Sequence, residues 1–417
     1  MCFVGRRVVI TGLGAVTPVG NDVPSTWDSL VSGRSGVARI THFDPEPLPI
    51  KIAGEVKNFD PLLYVEKKDL RHMDLNVQFA VAAAKQAVVD AQLVIDKCNA
   101  ETVGVLIGSA IGGIKTLLDH QKIFEERGPR RLSPRFLQNL IPDTASGQVA
   151  IYTGASGPNL AVVSACATGG HALGEAAETI RRGDAEVMIA GGTEMAIVPV
   201  VVAGFHVMGA LAAGEDGPER ASRPFDKYRS GFVMSEGSGM MILEELEHAR
   251  RRDARVYAEL IGYGSTNDAY DLAAPPENGT GIARAMRMAI RKAGICPGEV
   301  NLINAHGTST PLNDKFETAA VKSVFGDHAY DLALVSTKSM TGHMMGATGA
   351  VEAIACVLSI YNETITPTIN YQTPDPDCDL DCVPNVARKA PVRVAMSNSM
   401  GLGGHNSCVI VRRFEGD

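Results

Sequence analysis

A cysteine, two histidines and a lysine stand in this 417-residue chain in settings where side chains can do chemistry. Cys166 lies in "SACATGG", residues 164–170, between an apolar stretch, 159–163, that predicts an internal strand and a run of helix formers, 170–177. Strand, turn, helix is the expected order. A thiol in the first turn of a helix meets unpaired backbone N–H groups and the positive end of the dipole, which favour thiolate. The heptapeptide alone leaves two readings open: a nucleophile, or a buried thiol acting as a small hydrophobe.

Three later segments bear on that choice. "NAHGTST", residues 304–310, puts His306 after the apolar run 300–303, in a loop of small and hydroxylic residues able to hold a ligand's polar chain. "STKSMTGHMMGATGAVEA", residues 336–353, carries Lys338 and His343 into a glycine-spaced helix. "SNSMGLGGHN", residues 397–406, reads as a glycine-rich turn of backbone N–H donors, a shape suited to an anion or an oxyanion. Together with Cys166, the two imidazoles and the glycine turn cease to be independent signals.

The elements that must position these groups alternate along the chain. Residues 7–10 read as a first strand ending in a glycine turn, 12–14; no third glycine follows at dinucleotide spacing, and Pro18 interrupts. Helices are expected over 25–32, 74–92 and 281–293, and strands over 103–108, 187–192, 257–263, 300–304, 392–396 and 408–411. Such alternation predicts an α/β protein with helix-covered, mainly parallel sheets. The second half, from about residue 255, echoes the first. The sequence contains no Ser/Gly linker, so the halves should pack together.

Composition narrows the function classes. With 45% hydrophobic and 21% charged residues the chain is globular, and its net charge of -8 argues against general binding to nucleic acid or an acidic membrane surface. The apolar stretch 195–205 is too short to span a bilayer and fits a buried element. Eight cysteines form neither a disulfide framework nor a metal pattern: Cys378 and Cys382 have no second Cys/His pair beside them. Reduced thiols and a cytoplasmic location are the expectation.

Taken in order, "VVITGLGAVTPVGN", "GVLIGSAIGG", "SACATGG", "AGGTEMAI", "SRPFDKYRSGFVMSEGSG", "PPENG", "INAHGTSTPLND", "STKSMTGHMMGATGAVEA" and "SNSMGLGGHN" resemble the β-ketoacyl-acyl carrier protein (ACP) synthases of type I/II along nearly the whole chain. The resemblance implies a thiolase fold: two similar halves, 1–254 and 255–417, in a five-layer α-β-α-β-α sandwich. It implies an acyltransferase that extends a Cys166-bound acyl chain by two carbons from malonyl-ACP in fatty acid synthesis. A type II polyketide ketosynthase with a dedicated carrier, and possibly a chain-length-factor partner, is the alternative. Cys-His-Asn relatives and thiolases match less well, because two histidines stand in the His-His positions.

By the same resemblance His306 and His343 stabilise the malonyl thioester oxygen, and Lys338 balances their charge, paired with Glu317 near Asp314. The amides of Cys166 and Leu402 form the oxyanion hole, with Met400 and Leu402 as the gate. Thr308 and Thr310 hold phosphopantetheine; Ile111, Phe136 and Phe205 line the acyl tunnel; Lys67, Lys68, Arg71, Arg130 and Arg131 dock ACP. No cofactor or metal is implied, since ACP carries the substrates on 4′-phosphopantetheine, and a homodimer is expected. The chain departs from the pattern at Met400 and Leu402, where phenylalanines are usual, and at Gly209, Ser230, Ser235, Asp271 and Ala273.

Overall fold

Ten strands of one mixed sheet organise the protein in a computed structural model that describes residues 5–416; Cys2 lies outside the described residues. In chain order they are β1 (Val8–Val16), β2 (Val103–Gly108), β3 (Asn159–Leu160), β4 (Val187–Glu194), β5 (Gly237–Glu245), β6 (Ala258–Asn267), β7 (Leu302–Asn304), β8 (Ala333–Val335), β9 (Val394–Gly401) and β10 (His405–Arg412). Their spatial order is β8-β7-β9-β10-β6-β1-β5-β4-β2-β3. Outward from the seam, β1-β5-β4-β2-β3 pair antiparallel, antiparallel, parallel, parallel. On the other side β6-β10-β9-β7-β8 repeat that sequence of senses. The expectation of mainly parallel sheets is therefore corrected. In the second half, the glycine turn at 402–404 joins β9 and β10 as a hairpin, which reverses the chain and makes an antiparallel pair unavoidable.

Alternating side chains sort the sheet into faces. Along β10, Val409 and Val411 point into one core and Cys408 and Ile410 into another; along β4, Met188 and Ala190 are separated in the same way from Val187 and Ile189. The inner faces of both halves share a single core with helices α3 (Thr168–Arg182) and α6 (Thr348–Tyr361). The outer faces are covered by α1 (Leu75–Asp90) and α2 (Thr144–Thr153) on one side, and by α4 (Thr280–Ala293) and α5 (Pro311–Phe325) on the other. Helix, sheet, central helices, sheet, helix give five layers. The halves are stitched at β1–β6 by the pairs Val9–Glu259 and Ile10–Ala258.

Three local expectations change. Gly12 and Gly14 do not form a turn but lie within β1, because α1 crosses against them: a Cβ on Gly14 would fall 1.9 Å from the Ala83 carbonyl oxygen. The strand before Cys166 is only Asn159–Leu160, exposed at the sheet edge, where β2 is its one partner. Residues 195–198 are buried, but Pro199–Val207 is a helix that buries Val202 and leaves Val200 and Val207 exposed. The seven described cysteines are free. No described helix is long and apolar enough to cross a membrane.

One buried carboxylate, on β5, ties that strand to β1 and to the segment that follows it. Burial alone would raise Glu244, but bonds from Arg252 and His248, the Arg252 charge and the Thr11 hydroxyl hold it down at about 2. A carboxylate lowered by folding adds stability above its unfolded value of 4.5, and that stability drains away as pH falls toward 2. Glu244→Gln is expected to flatten the stability curve in this acid window, and urea unfolding at a series of pH values reads it directly. An unchanged acid slope would count against this assignment.

Candidate active site

The thiol and both imidazoles open into one cavity of about 480 Å³, lined by Cys166, His306 and His343 together with Phe205, Phe232, Thr308, Thr310, Met400 and Leu402. Cys166 sits in the tight turn Ala165–Ala167, directly before α3. Ala165 takes a left-handed φ of 49°, which turns the chain from the edge strand into the helix. Ser164 braces the turn: its amide donates to the Thr168 hydroxyl at 2.9 Å, and its hydroxyl lies 2.7 Å from His171 Nδ1. Burial pushes the Cys166 thiol up to about 12; the Lys338 ammonium pulls it down and Glu194 pushes it up. Burial thus works against the thiolate that the helix N-terminus favours.

The hairpin between β9 and β10 closes one wall. A Cβ on Gly401 would come within 2.7 Å of the Ser164 carbonyl and 3.0 Å of the Cys166 nitrogen, so only glycine lets this strand end lie against the nucleophile turn. That places the end of β9, just before Leu402, beside the Cys166 amide. Leu402 is exposed at the tip and Met400 is half-buried.

His306 follows β7 and His343 follows the short helix Lys338–Thr341; both are buried, and their rings stand edge to face at 5.3 Å. Burial lowers each well below 6.5, and the Lys338 charge lowers them further, so both imidazoles are neutral. His343 Nδ1 lies 3.1 Å from the Thr348 hydroxyl, which leaves Nε2 for the cavity. The Thr308 and Thr310 hydroxyls are 2.9 Å apart at the same cavity.

Lys338 is 1% exposed, and its Nζ donates to Glu352 Oε1 at 2.6 Å. This corrects the expected pairing with Glu317. Glu317 Oε1 and Oε2 instead accept the amides of His306 and Gly307, each at 2.9 Å, and fix the His306 loop. Asp314 accepts the Phe225 and Ser309 amides and buttresses the threonine loop. Sequence reading missed Glu352, although a lone carboxylate in the apolar helix "GAVEAIACVLSI" was the available signal: a buried charge needs a partner.

The remaining expected residues divide. Ile111 and Phe205 pack in the same apolar cluster as Cys166 and Phe232. Phe136 does not; it stacks on His120 at 4.7 Å. Lys67 and Lys68 lie in the short helix Lys67–Leu70, Arg71 caps it, and Arg130 and Arg131 lie in the turn Pro129–Arg131, all exposed. Among the departures, Ser235 is accounted for: its hydroxyl donates to the Gly54 and Thr341 carbonyls. Asp271 closes a local turn by accepting the Ala273 and Ala274 amides at the cavity mouth.

Known proteins match this arrangement from end to end. Residues 5–249 match the family model "Beta-ketoacyl synthase, N-terminal domain" and residues 257–372 the corresponding C-terminal domain. The chain is 50% identical over 410 residues to a 3-oxoacyl-[acyl-carrier-protein] synthase 2 of Staphylococcus aureus (strain COL), covering 98% of this chain and 99% of the relative. It is 49% identical, again over 410 residues, to the protein of that name in Synechocystis sp., with the same coverage of both chains. Among solved structures, the ishigamide ketosynthase/chain length factor superposes with a TM-score of 0.92 at 37% identity, covering 98% of this chain and 100% of that one. A β-ketoacyl synthase from Burkholderia phymatum STM815 gives 0.90 at 32% identity, with the same coverage.

Proposed function

The chain belongs to the β-ketoacyl synthase family, and from that premise we propose that it is a 3-oxoacyl-ACP synthase of fatty acid biosynthesis, carrying out decarboxylative Claisen condensation on Cys166. The observation that carries the reading is the convergence of Cys166, His306 and His343 on one cavity walled by the Gly401 hairpin.

The acyl-ACP thioester is attacked by Cys166; the acyl carbonyl moves to the cysteine sulfur and the carrier leaves with its pantetheine thiol. The proton that leaves the Cys166 sulfur as it attacks ends on the departing pantetheine sulfur, which leaves as a thiol, and the nearby Lys338 charge favours its loss from Cys166. Malonyl-ACP then enters. Its C–C bond to the carboxylate breaks, carbon dioxide departs, and the electron pair becomes a thioester enolate whose oxygen faces the histidines. A His343 that accepts the Thr348 hydroxyl proton at Nδ1 carries its own proton on Nε2 and donates it as a hydrogen bond to that oxygen. Neutral donors suit the task, since they stabilise developing charge without surrendering a proton. The enolate carbon attacks the acyl-Cys carbonyl, the Cys166 and Leu402 amides hold the tetrahedral oxyanion, and collapse releases the Cys166 thiolate, which takes up one proton from solvent before the next turnover.

Thr308 and Thr310 hold the pantetheine arm. ACP docks on the exposed Lys67, Lys68, Arg71, Arg130 and Arg131, which oppose the carrier's acidic face despite the overall charge of -8. A second copy covers the edge strand β3 and the segment after it, where Leu160 is 63% and Val163 55% exposed. The enzyme works in the cytoplasm and takes its substrates from the carrier, with no cofactor of its own. The polyketide alternative draws on the ishigamide ketosynthase likeness, at lower identity than the fatty acid relatives.

Purified protein given malonyl-ACP and a panel of saturated acyl-ACPs should yield 3-oxoacyl-ACPs two carbons longer. Elongation only of polyketide-type chains on another carrier would transfer the assignment to that alternative.

A further inference from the structure

A carboxylate that the mechanism leaves unused lies beside the nucleophile. Glu194 ends β4 and is fully buried. Its four hydrogen-bond donors are all neutral: the Ser109 hydroxyl at 2.8 Å, and the amides of Ala110 at 2.7 Å, Ile111 at 3.3 Å and Gly346 at 3.1 Å. Three of them belong to the loop after β2. The fourth belongs to the turn Met345–Ala347, which leads into α6 in the other half of the chain.

The repeat in the strand order shows what this position is. The turn before α6 copies the nucleophile turn: Met345, Gly346, Ala347 and Thr348 follow one another as Ala165, Cys166, Ala167 and Thr168 do, and Met345 has a φ of 45° where Ala165 has 49°. Gly346 is thus the counterpart of Cys166. In the first half of the strand pattern β4 occupies the place of β9, and Glu194, its last residue, stands where Gly401 ends β9. Gly401 lies against the Cys166 nitrogen and leaves room for an oxyanion; Glu194 puts a carboxylate against the Gly346 nitrogen. The mirror of the active site is filled by the protein's own anion.

Both segments that Glu194 grips reach the chemistry. Met345 Sδ is 4.0 Å from Cys166 Sγ, and Ile111 belongs to the apolar cluster that contains Cys166. The spacing is tight, since a Cβ on Gly346 would sit 2.6 Å from the Ala110 nitrogen and 2.8 Å from Glu194 Oε2. We propose that Glu194 is a positioning residue that clamps the Ile111 loop of one half to the Met345 turn of the other and so sets both walls of the acyl chamber against Cys166. Its charge also bears on that thiol: burial is the main cause that raises Cys166 and Glu194 adds to it, while burial raises Glu194's own titration to about 7. Clamp and charge separate in experiment, because removing the charge frees the thiolate while removing the clamp misplaces it.

This inference rests on the proposed acyl transfer, and the test keeps the two apart. Glu194→Gln retains one acceptor oxygen, loses the charge and turns an amide NH₂ toward two of the donors. At pH 8, Cys166 alkylation by iodoacetamide in the variant should rise about threefold as the thiolate becomes easier to form. Cys166 acylation from acyl-ACP should fall about tenfold or more through misplacement of the chamber walls. Alkylation needs no carrier, so it reads the charge effect even if wild-type protein accepts no acyl group, the result that would sink the synthase reading instead. Ser109→Ala, which removes one donor and leaves the charge, should lower acylation without raising alkylation; it also reads the clamp if the glutamine variant fails to fold. Unchanged acylation in folded variants, or two rates falling in parallel in Glu194→Gln, overturns the proposal.

Discussion

His306→Ala and His343→Ala are each expected to slow condensation by about 10² to 10³-fold, the usual cost of removing one preorganised oxyanion donor, while Cys166 still takes up its acyl group. The separation follows from position. Acylation needs the thiol, its turn and the hairpin amides, whereas the imidazoles serve the oxygen of the incoming malonyl thioester. The histidines stand ring edge to ring face in a buried pair, and His343 is held by Thr348, so neither ring must reorganise as charge develops. Burial, then the Lys338 charge, keep both far below 6.5. Because the neutral form prevails at every pH above a lowered value, carbon dioxide release from malonyl-ACP should show no titration as pH is brought down through 6.5. Single-turnover mass measurements on each variant, with carbon dioxide release followed across pH, give both numbers. A variant that loses acylation and condensation together would assign the histidines to the first step instead.

Lys338→Met carries the largest expected effect on stability, a loss of about 3–5 kcal/mol, because it strands the Glu352 carboxylate at a site 1% exposed. Even in the intact pair, burial pushes Glu352 up to about 7, only partly offset by Lys338. Without the ammonium the carboxyl rises further. A group raised by folding stabilises the protein when protonated, so the variant should grow more stable as pH falls toward the unfolded value near 4.5 and weaken as pH rises through the folded one. Lys338→Met combined with Glu352→Gln should recover most of the stability, and urea unfolding measures each step. Catalysis should not recover with it, since Lys338 also biases Cys166, His306 and His343. A double variant with restored activity would reduce the pair to a structural role.

What the sequence made legible was local and repeated. The nucleophile turn, the loop of His306 and the hairpin at 401–404 are short segments whose glycines and small residues have one purpose each, and they fold as read. Less legible was anything decided by a distant neighbour. The glycines of β1 looked like a turn because nothing in residues 12–14 announces that α1 will cross them. The apolar residues before Cys166 suggest an internal strand, yet they lie at a sheet edge with Leu160 and Val163 exposed. The family resemblance pairs Lys338 with Glu317, whereas its partner comes from α6, where a single carboxylate among apolar residues is the cue. Mixed strand sense was hidden because alternation of strands and helices does not say which connections are hairpins. The likeness of "CATGG" to "GATGA", which exposes Glu194 as the plug of a mirror site, is visible in the sequence only once the strand order shows which turns correspond.

The most direct test weighs the protein itself. Wild-type enzyme and Cys166→Ala are incubated with acyl-ACP, and intact masses are recorded before and after malonyl-ACP is added. Wild type should gain the mass of one acyl group, placed on Cys166 by peptide mapping, and should lose it when malonyl-ACP arrives; Cys166→Ala should gain nothing. An adduct that forms equally in Cys166→Ala, or a wild-type adduct that malonyl-ACP leaves in place, would contradict the assignment of Cys166 as the acyl carrier in condensation.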